Sequence, residues 1–236
     1  MSDWIEYYKE LSEYLTDEYS LNDTAHQIDH VKAVCNRALC INAAYQLGYD
    51  PFMIIAAALY HDLFTRFRDN HHYLAEAHIL TSKHWSLRRF NPGERYAISK
   101  ACLEHRASWK GEYSSLLSEL IATADRGSPS NLTEMVTRCY SYGISKLQQT
   151  PQEALDRILP HLREKYSRTG YQKLSPLYMR VYGSKLEAMW DVIETGNIDV
   201  MGIITNQPEV IEDIRLAENN CLAITTNKGV YGATVE

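Results

Sequence analysis

The sequence lacks several features that would place it in a specialised class of protein. Its five cysteines are an odd number and include no Cys-X-X-Cys pair, so a disulfide framework is not expected and the thiols are predicted to be free and buried. No run of about 18 apolar residues occurs, and no membrane span is predicted. Acidic residues outnumber basic ones by 30 to 24, and the net charge of −6 argues against a broad nucleic-acid-binding surface.

What remains is the composition of a globular protein. Hydrophobic residues make up 45% and charged residues 23% of 236 positions, which suits one large domain with a real core, or one domain with an appendage. The first 20 residues are acidic and amphipathic, whereas a secretory signal begins with positive charge and continues with an apolar run. We therefore expect a cytoplasmic protein.

Hydrophobic periodicity predicts a mostly helical chain. We expect a helix over 4–15, a long helix over 24–47 and a central buried helix over 52–67, which is apolar almost all round. Further helices are predicted over 73–87, 94–104, 114–125, 132–147, 152–165 and 174–194. After Gly196 the segments that look strand-like are 200–205, 222–226 and 230–235. The predicted fold is an all-α bundle over 1–195 with a small, strand-like C-terminal appendage over 196–236.

Three of the predicted helices bring a histidine or an aspartate to the edge of the core. His61 and Asp62 follow a strongly apolar run, Asp125 ends another, and His30 adjoins an apolar stripe, one helical turn after His26. A buried carboxylate without a partner is costly, so a single pair of this kind would be interpreted as a helix end open to water. Three such segments together indicate that the side chains meet at one place at the edge of the core. The mixed nitrogen and oxygen donors suit a divalent ion, whether Mn, Fe, Co, Ni, Zn or Mg.

In their order and flanking residues, these segments resemble the HD-domain (His-Asp) metal-dependent phosphohydrolase superfamily. The matching peptides are Ala-His-Gln-Ile-Asp-His-Val around His30, Ala-Ala-Leu-Tyr-His-Asp at His61 and Asp62, and Ala-Asp-Arg at Asp125. The resemblance covers residues 3–195 and implies an all-helical fold that binds one or two divalent ions. It also implies hydrolysis of a phosphate ester, often a nucleotide, by a metal-activated water. His30, His61, Asp62 and Asp125 would be the metal ligands.

The same resemblance extends to other histidines. His105, in Glu-His-Arg-Ala-Ser, matches an extra histidine of many members, and either His71 or His72 stands where two-metal members supply another ligand. These residues would complete a second site that shares Asp62, or would contact phosphate, or would be solvated. Asp62 and His105 are therefore the candidate catalytic residues. Thr65 stands where some members carry a catalytic glutamate, so a mechanism that needs this glutamate is not expected, and Glu76 and Glu104 remain candidates for an acid or base.

Arginines close to the ligands are candidates for phosphate recognition, since the guanidinium group binds phosphate through two parallel hydrogen bonds. We select Arg66 and Arg106, together with His26, as substrate-binding residues, from a wider set that includes Arg68, Lys110 and Arg126. The expected partner is a small phosphate compound, in particular a nucleotide; its base and phosphate number, the native metal and the oligomeric state stay open. Two other functions also stay open, namely a metal-holding nucleotide sensor without turnover and a di-iron oxygenase on the same scaffold.

Overall fold

The computed structural model describes residues 3–23, 26–67, 69–205, 211–216, 222–226 and 229–232, with side chains up to residue 204. The chain divides into two compact units, of which the first comprises 1–22, 26–126 and 209–236 and the second 23–25 and 127–208. The expected boundary after residue 195 does not coincide with this division and stays a prediction.

The first unit is a bundle of helices followed by three short strands, which confirms the predicted all-α class with a small strand-like extension. Its helices are α1 (Asp3–Ser20), α2 (Ile28–Ala44), α3 (Pro51–Tyr60), α4 (His71–Thr81), α5 (Trp85–Arg88), α6 (Pro92–Glu104) and α7 (Leu116–Arg126). A 3₁₀ turn, Thr65–Phe67, lies between α3 and α4.

Helix α3 is the centre of the first unit. It begins where the Asp50 side chain accepts a hydrogen bond from the backbone N–H of Phe52, with Pro51 in the first turn, where its missing N–H costs little. Every residue from Met53 to Tyr60 is buried, and the helix packs against α1, α2, α6 and α7. This confirms the expectation of a central buried helix.

Helix α3 ends at Tyr60, however, and not at residue 67 as predicted. The apolar pattern continues through Leu63 and Phe64, but the chain leaves the α-helix at His61, where the side chains of Tyr19 and Asn22 bind carbonyl oxygens on either side. As a result, His61 and Asp62 lie in a turn beyond the helix and not inside it.

Two other boundaries differ from the predicted ones. Helix α2 starts at Ile28, preceded by Gln27 in an extended conformation, so His26 precedes the helix. The helix predicted over 73–87 is split into α4 and α5, since Arg95 of α6 donates hydrogen bonds to the carbonyl oxygens of Ile79 and Ser82 and thereby draws the chain out of the helix. Ser82 itself is extended.

The C-terminal strands β1 (Ile211–Leu216), β2 (Leu222–Thr226) and β3 (Gly229–Gly232) form an antiparallel sheet in the order β1-β2-β3. In its register Ile224 of β2 pairs with Ile214 on one side and with Tyr231 on the other. The expectation for 222–226 is confirmed, and that for 230–235 is met as far as residue 232, beyond which the chain lies outside the described residues.

The second unit is helical, with α8 (Leu132–Ser145), α9 (Pro151–Tyr166), α10 (Pro176–Thr195) and α11 (Val200–Thr205). Helix α9 packs against α8 and α10. The strand expected at 200–205 is wrong. The side chain of Asp199 accepts a hydrogen bond from the N–H of Gly202, which caps a helix despite the β-branched residues that follow.

The described cysteines, Cys35, Cys40, Cys102 and Cys139, are buried free thiols, as expected. Cys221 lies outside the described residues. In the part of the chain that the structure describes, no helix has both the length and the apolar character needed to cross a bilayer.

Candidate metal centre

The histidines and aspartates predicted to bind metal all lie at helix ends of the first unit. Helix ends leave backbone groups without intrahelical partners, so they are positions where polar side chains can meet inside a bundle. His30 lies in the first turn of α2, His61 and Asp62 follow α3, His71 begins α4, His105 follows α6 and Asp125 lies in the last turn of α7.

Four of these side chains form a first group around one oxygen of Asp62. Nε2 of His30 lies 3.1 Å from Oδ1 of Asp125 and 3.7 Å from Oδ2 of Asp62. Nε2 of His61 lies 3.4 Å from the same Asp62 oxygen and 3.8 Å from Oδ1 of Asp125. One ligand atom from each of the four lies within 4.8 Å of the others. The structure thus brings together the four residues that the sequence predicted as one ligand set.

A second group surrounds the other oxygen of Asp62. Oδ1 of Asp62 lies 3.2 Å from Nε2 of His105 and 3.7 Å from Nε2 of His71. These three ligand atoms also lie within 4.8 Å of one another. Asp62 therefore stands between two sets of imidazole nitrogens, with one carboxylate oxygen facing each. Of the two adjacent histidines considered for this site, His71 is the one placed beside Asp62.

Backbone carbonyl groups determine the tautomer of two imidazoles, those of His61 and His105. Nδ1 of His61 lies 2.7 Å from the carbonyl oxygen of Ala58, and Nδ1 of His105 lies 2.7 Å from the carbonyl oxygen of Cys102. A carbonyl oxygen only accepts, so Nδ1 carries the proton in both rings. Each Nε2 then points its lone pair at Asp62 when the ring is neutral, which is the usual arrangement of a metal-binding histidine.

The charges of this cluster depend on one another. Burial alone would raise the pKa of Asp62 and Asp125, but the neighbouring histidines hold the pKa of both carboxyls well below the usual range. Burial alone would lower the pKa of His61, but the carboxylates of Asp62 and Asp125 raise it to about 10. The two buried carboxylates thus obtain compensating positive charge from the imidazoles around them.

The geometry of the first group fits a divalent ion, which would replace the imidazole protons as the source of positive charge beside the carboxylates. Nε2 of His61 is completely buried and makes no well-formed hydrogen bond within the described part of the chain. Ligand atoms about 2.1 Å from an ion lie about 3.0–3.4 Å apart when they are adjacent around it. The separations between imidazole nitrogen and carboxylate oxygen in the first group are 3.1–3.8 Å, so a small contraction around an ion would satisfy the orphaned nitrogen. The cluster can hold a metal ion.

Side chains from the last turn of α1 and the residues just after it bind the end of α3 and the turn that carries His61 and Asp62. The amide nitrogen of Asn22 donates to the carbonyl oxygen of Asp62 at 3.2 Å, and the hydroxyl group of Tyr19 donates to that of Leu59 at 2.8 Å. Both side chains are buried. The sequence gives no signal of this role, since Asn22 stands in the polar stretch Ser-Leu-Asn-Asp-Thr, where an asparagine is expected to cap a helix.

Arg126 anchors the segment that carries His105. Its buried guanidinium group donates to the carbonyl oxygens of His105, Arg106 and Ala122 and to the hydroxyl group of Tyr113. Arg126 was considered as a phosphate contact, but these bonds engage it within the fold. They fix the end of α6 against α7.

Two glutamates considered as acid or base also have structural partners. The buried carboxylate of Glu104 accepts hydrogen bonds from the backbone N–H of Ser114, at 2.9 Å, and from its hydroxyl group, at 3.1 Å. Glu76 forms an ion pair with Lys100 at 2.6 Å. Each carboxylate therefore holds a part of α6 or of the loop that follows it.

The predicted substrate-binding residues occupy different surroundings. Arg66 forms an ion pair with Glu18 at 3.1 Å. The guanidinium group of Arg106 makes no hydrogen bond or ion pair among the described residues, and its charge acts on the neighbouring His72. The ring of His26 lies 6.3 Å from that of His30. The roles of Arg66, Arg106 and His26 in substrate binding stay predictions, and Arg68 lies outside the described residues.

His72 and Thr65 are both buried beside the ligand positions. Burial lowers the pKa of His72 to about 4, and the positive charges of Arg106 and His105 add to the effect. Nδ1 of His72 and the hydroxyl group of Thr65 make no hydrogen bond within the described ranges. Thr65 thus brings a small hydroxyl group to the position where a glutamate was considered.

Comparisons with protein-family models, with curated proteins and with solved structures found no match for this chain.

Proposed function

We propose that this protein is a metal-dependent phosphohydrolase of the HD-domain type, acting on a nucleotide or a related small phosphate ester. The observation that carries the proposal is the position of Asp62, whose two carboxylate oxygens face two different sets of imidazole nitrogens. A carboxylate between two nitrogen-rich groups is suited to bridging two divalent ions, a common arrangement for phosphate-ester hydrolysis.

The residues would share this work as follows. His30, His61, Asp62 and Asp125 would hold one ion, and Asp62, His71 and His105 would hold the other. Divalent ions, when bound, supply Lewis acidity toward the phosphate and lower the pKa of a coordinated water to near neutrality. His61 and His105 keep their Nε2 lone pairs directed inward through their bonds to Ala58 and Cys102.

Other residues of the chain would orient the phosphate. Among the described residues the second group offers three candidate ligands, against four in the first, so an ion held there would keep more positions for a phosphate oxygen. Arg106 follows His105 directly, its charge acts on the neighbouring His72, and its guanidinium group can offer two parallel hydrogen bonds to the same phosphate. A nucleotide is the substrate class that the family resemblance favours.

The test is a screen for phosphate release from nucleoside mono-, di- and triphosphates, each with Mn, Co, Ni, Fe or Mg added. Asp62→Asn, which keeps the shape but removes the charge, is expected to lose both bound metal and activity. Asp50→Asn is the matched control, since it makes the same change at the other end of α3 and asparagine caps a helix as well as aspartate does. Metal in place without phosphate release from any substrate would favour the sensor function.

A di-iron oxygenase is the second candidate, because His71 and His105 both lie beside Asp62, as two iron ions would require. It predicts that iron is retained through purification and that oxygen is consumed in the presence of an organic substrate. Phosphate release with non-redox Mg²⁺ and no oxygen uptake would exclude it.

A further inference from the structure

Asn22 is a buried amide between α1 and the turn that carries His61 and Asp62, and both its nitrogen and its oxygen make hydrogen bonds. Its Nδ2 group lies 3.2 Å from the carbonyl oxygen of Asp62 and 3.4 Å from those of Leu63 and His26. Its Oδ1 atom accepts a hydrogen bond from the backbone N–H of Arg66 at 3.1 Å. One side chain thus connects the segment before α2 with both ends of the turn 62–66.

These bonds act on the residue that both ligand groups share. The carbonyl oxygens of Asp62 and Leu63 lie just beyond the end of α3. The first also accepts from the N–H of Thr65 at 3.1 Å and the second from the guanidinium group of Arg66 at 3.4 Å, and Asn22 is the side chain that binds both carbonyls. An amide that donates to both and accepts from Arg66 fixes the orientation of the peptide groups that directly follow Asp62. The direction of that side chain decides whether Oδ1 and Oδ2 can face the two groups of histidines at the same time.

We propose that Asn22 is a positioning residue for Asp62, which holds the carboxylate in the orientation that serves both ligand groups. The inference rests on the metal-binding part of the proposed function and is independent of which phosphate ester is hydrolysed. Binding in the second group is expected to depend on Asn22 more than binding in the first, because in the described part of the chain the second group offers two candidate ligands besides Asp62 and the first offers three.

A purely structural role for Asn22 would lower stability without selecting between the two groups. Asn22→Asp separates these roles. The aspartate has almost the same volume and keeps the acceptor for the N–H of Arg66, but it removes both donors and places negative charge against the two carbonyl oxygens. Asn42→Asp is the matched control, since the Asn42 side chain donates to the carbonyl oxygen of Tyr49 and accepts from its N–H, both at 3.1 Å, in the loop before α3.

The experiment titrates the full-length, metal-free chain with Mn²⁺ and measures the two dissociation constants by calorimetry. Asn22→Asp is expected to weaken the second, weaker binding event by about 10- to 100-fold, the range seen when a residue that orients a metal ligand is lost. The first event is expected to change less, and Asn42→Asp is expected to leave both unchanged. In the metal-free protein, backbone amides of residues 62–66 are expected to exchange with deuterium faster in Asn22→Asp than in Asn42→Asp.

If Asn22→Asp does not fold, Asn22→Ser retains one donor and is expected to show a smaller weakening in the same direction. Two Mn²⁺ ions bound with wild-type affinities by a folded Asn22 variant would overturn this inference and leave the proposed function intact. A wild-type chain that binds no Mn²⁺ would overturn both. Two ions bound by the wild type and weakened by Asn22→Asp, without phosphate release, would support the inference and contradict the hydrolase.

Discussion

His61 and His105 have the same hydrogen bond on the side away from Asp62: in each, Nδ1 lies 2.7 Å from the carbonyl oxygen of the residue three positions earlier. Both rings follow the last residue of a helix, so each bond returns to that helix's final turn. The helices themselves therefore select the tautomer. Both Nε2 atoms face the Asp62 carboxylate, one at each oxygen, and the centroids of the two imidazole rings lie 4.8 Å apart.

The first prediction concerns His105. His105→Ala is expected to lower the metal content from about two ions to about one ion per chain, because it removes one of three ligands from the second group and none from the first. Elemental analysis of protein reconstituted with Mn²⁺ measures this stoichiometry. If the metal content stays at two while KM rises, His105 contacts the phosphate and is not a ligand.

The second prediction distinguishes two adjacent histidines. Both His71 and His72 are buried, but only Nε2 of His71 lies close to Asp62, at 3.7 Å. His71→Ala is therefore expected to lose the weaker metal ion, and His72→Ala is expected to retain both. The pair controls for the loss of a buried ring at the start of α4. Loss of metal in His72→Ala with full retention in His71→Ala would reverse the assignment.

The third prediction concerns the anchoring of His105 by Arg126. Arg126→Lys keeps the positive charge but cannot donate to several carbonyl oxygens from one planar group, and hydrogen bonds to charged groups contribute about 1.5–3 kcal/mol each. We expect the free energy of unfolding to fall by about 2 kcal/mol, measured by urea denaturation of the metal-free protein. Tyr113→Phe removes one of the acceptors of Arg126, at 3.4 Å, and leaves its carbonyl partners in place, so it is expected to cost less. Equal stability of Arg126→Lys and the wild type would contradict this role.

The fourth prediction concerns pH and a site apart from the metal ligands. Burial, followed by the positive charge of Arg88, lowers the pKa of His84, whose Nδ1 lies 2.9 Å from the hydroxyl group of Ser86 and 3.3 Å from that of Tyr60. As the pH falls through about 6.5, the unfolded chain takes up a proton at His84 that the folded chain resists, so stability falls toward acid.

His84→Asn removes this titration and keeps a side-chain acceptor for the hydroxyl groups. The loss of stability between pH 7.5 and 5.5 is expected to be smaller in His84→Asn than in the wild type, by at most about 1.4 kcal/mol for each pH unit. Urea denaturation at both pH values measures it. Parallel losses in the two proteins would show that His84 does not contribute.

Features of this fold that have local causes could be predicted from the sequence, and features that depend on tertiary contacts could not. The periodicity of α6 and α7 and the apolar character of α3 were sufficient to predict those helices. The order of histidines and aspartates was sufficient to predict that His30, His61, Asp62 and Asp125 lie together, and their role as metal ligands stays a prediction. The end of α3 differs from the prediction, and the groups that bind it there, the amide of Asn22 and the hydroxyl group of Tyr19, lie 40 residues away in the sequence, beyond the reach of a local pattern.

The choice between His71 and His72 was also beyond the sequence. Adjacent residues on a helix point about 100° apart, and which of them faces Asp62 depends on how α4 is rotated against α6. The capping box of α6, in which Asn91 and Glu94 exchange hydrogen bonds, is recognisable in the sequence. The rotation of one helix against another is set by tertiary packing, so it cannot be recognised in the sequence in this way.

Helix α3 is buried on every side from Met53 to Tyr60. The candidate metal centre at its end is therefore expected to persist as long as the first unit stays folded. A helix that is apolar all round cannot detach by itself, because its exposure would require α1, α2, α6 and α7 to separate together. An ion held at its end would therefore raise the midpoint of thermal unfolding for the unit as a whole, in proportion to the logarithm of its concentration. Removal of the ion would correspondingly shorten the survival of every one of these helices against a protease.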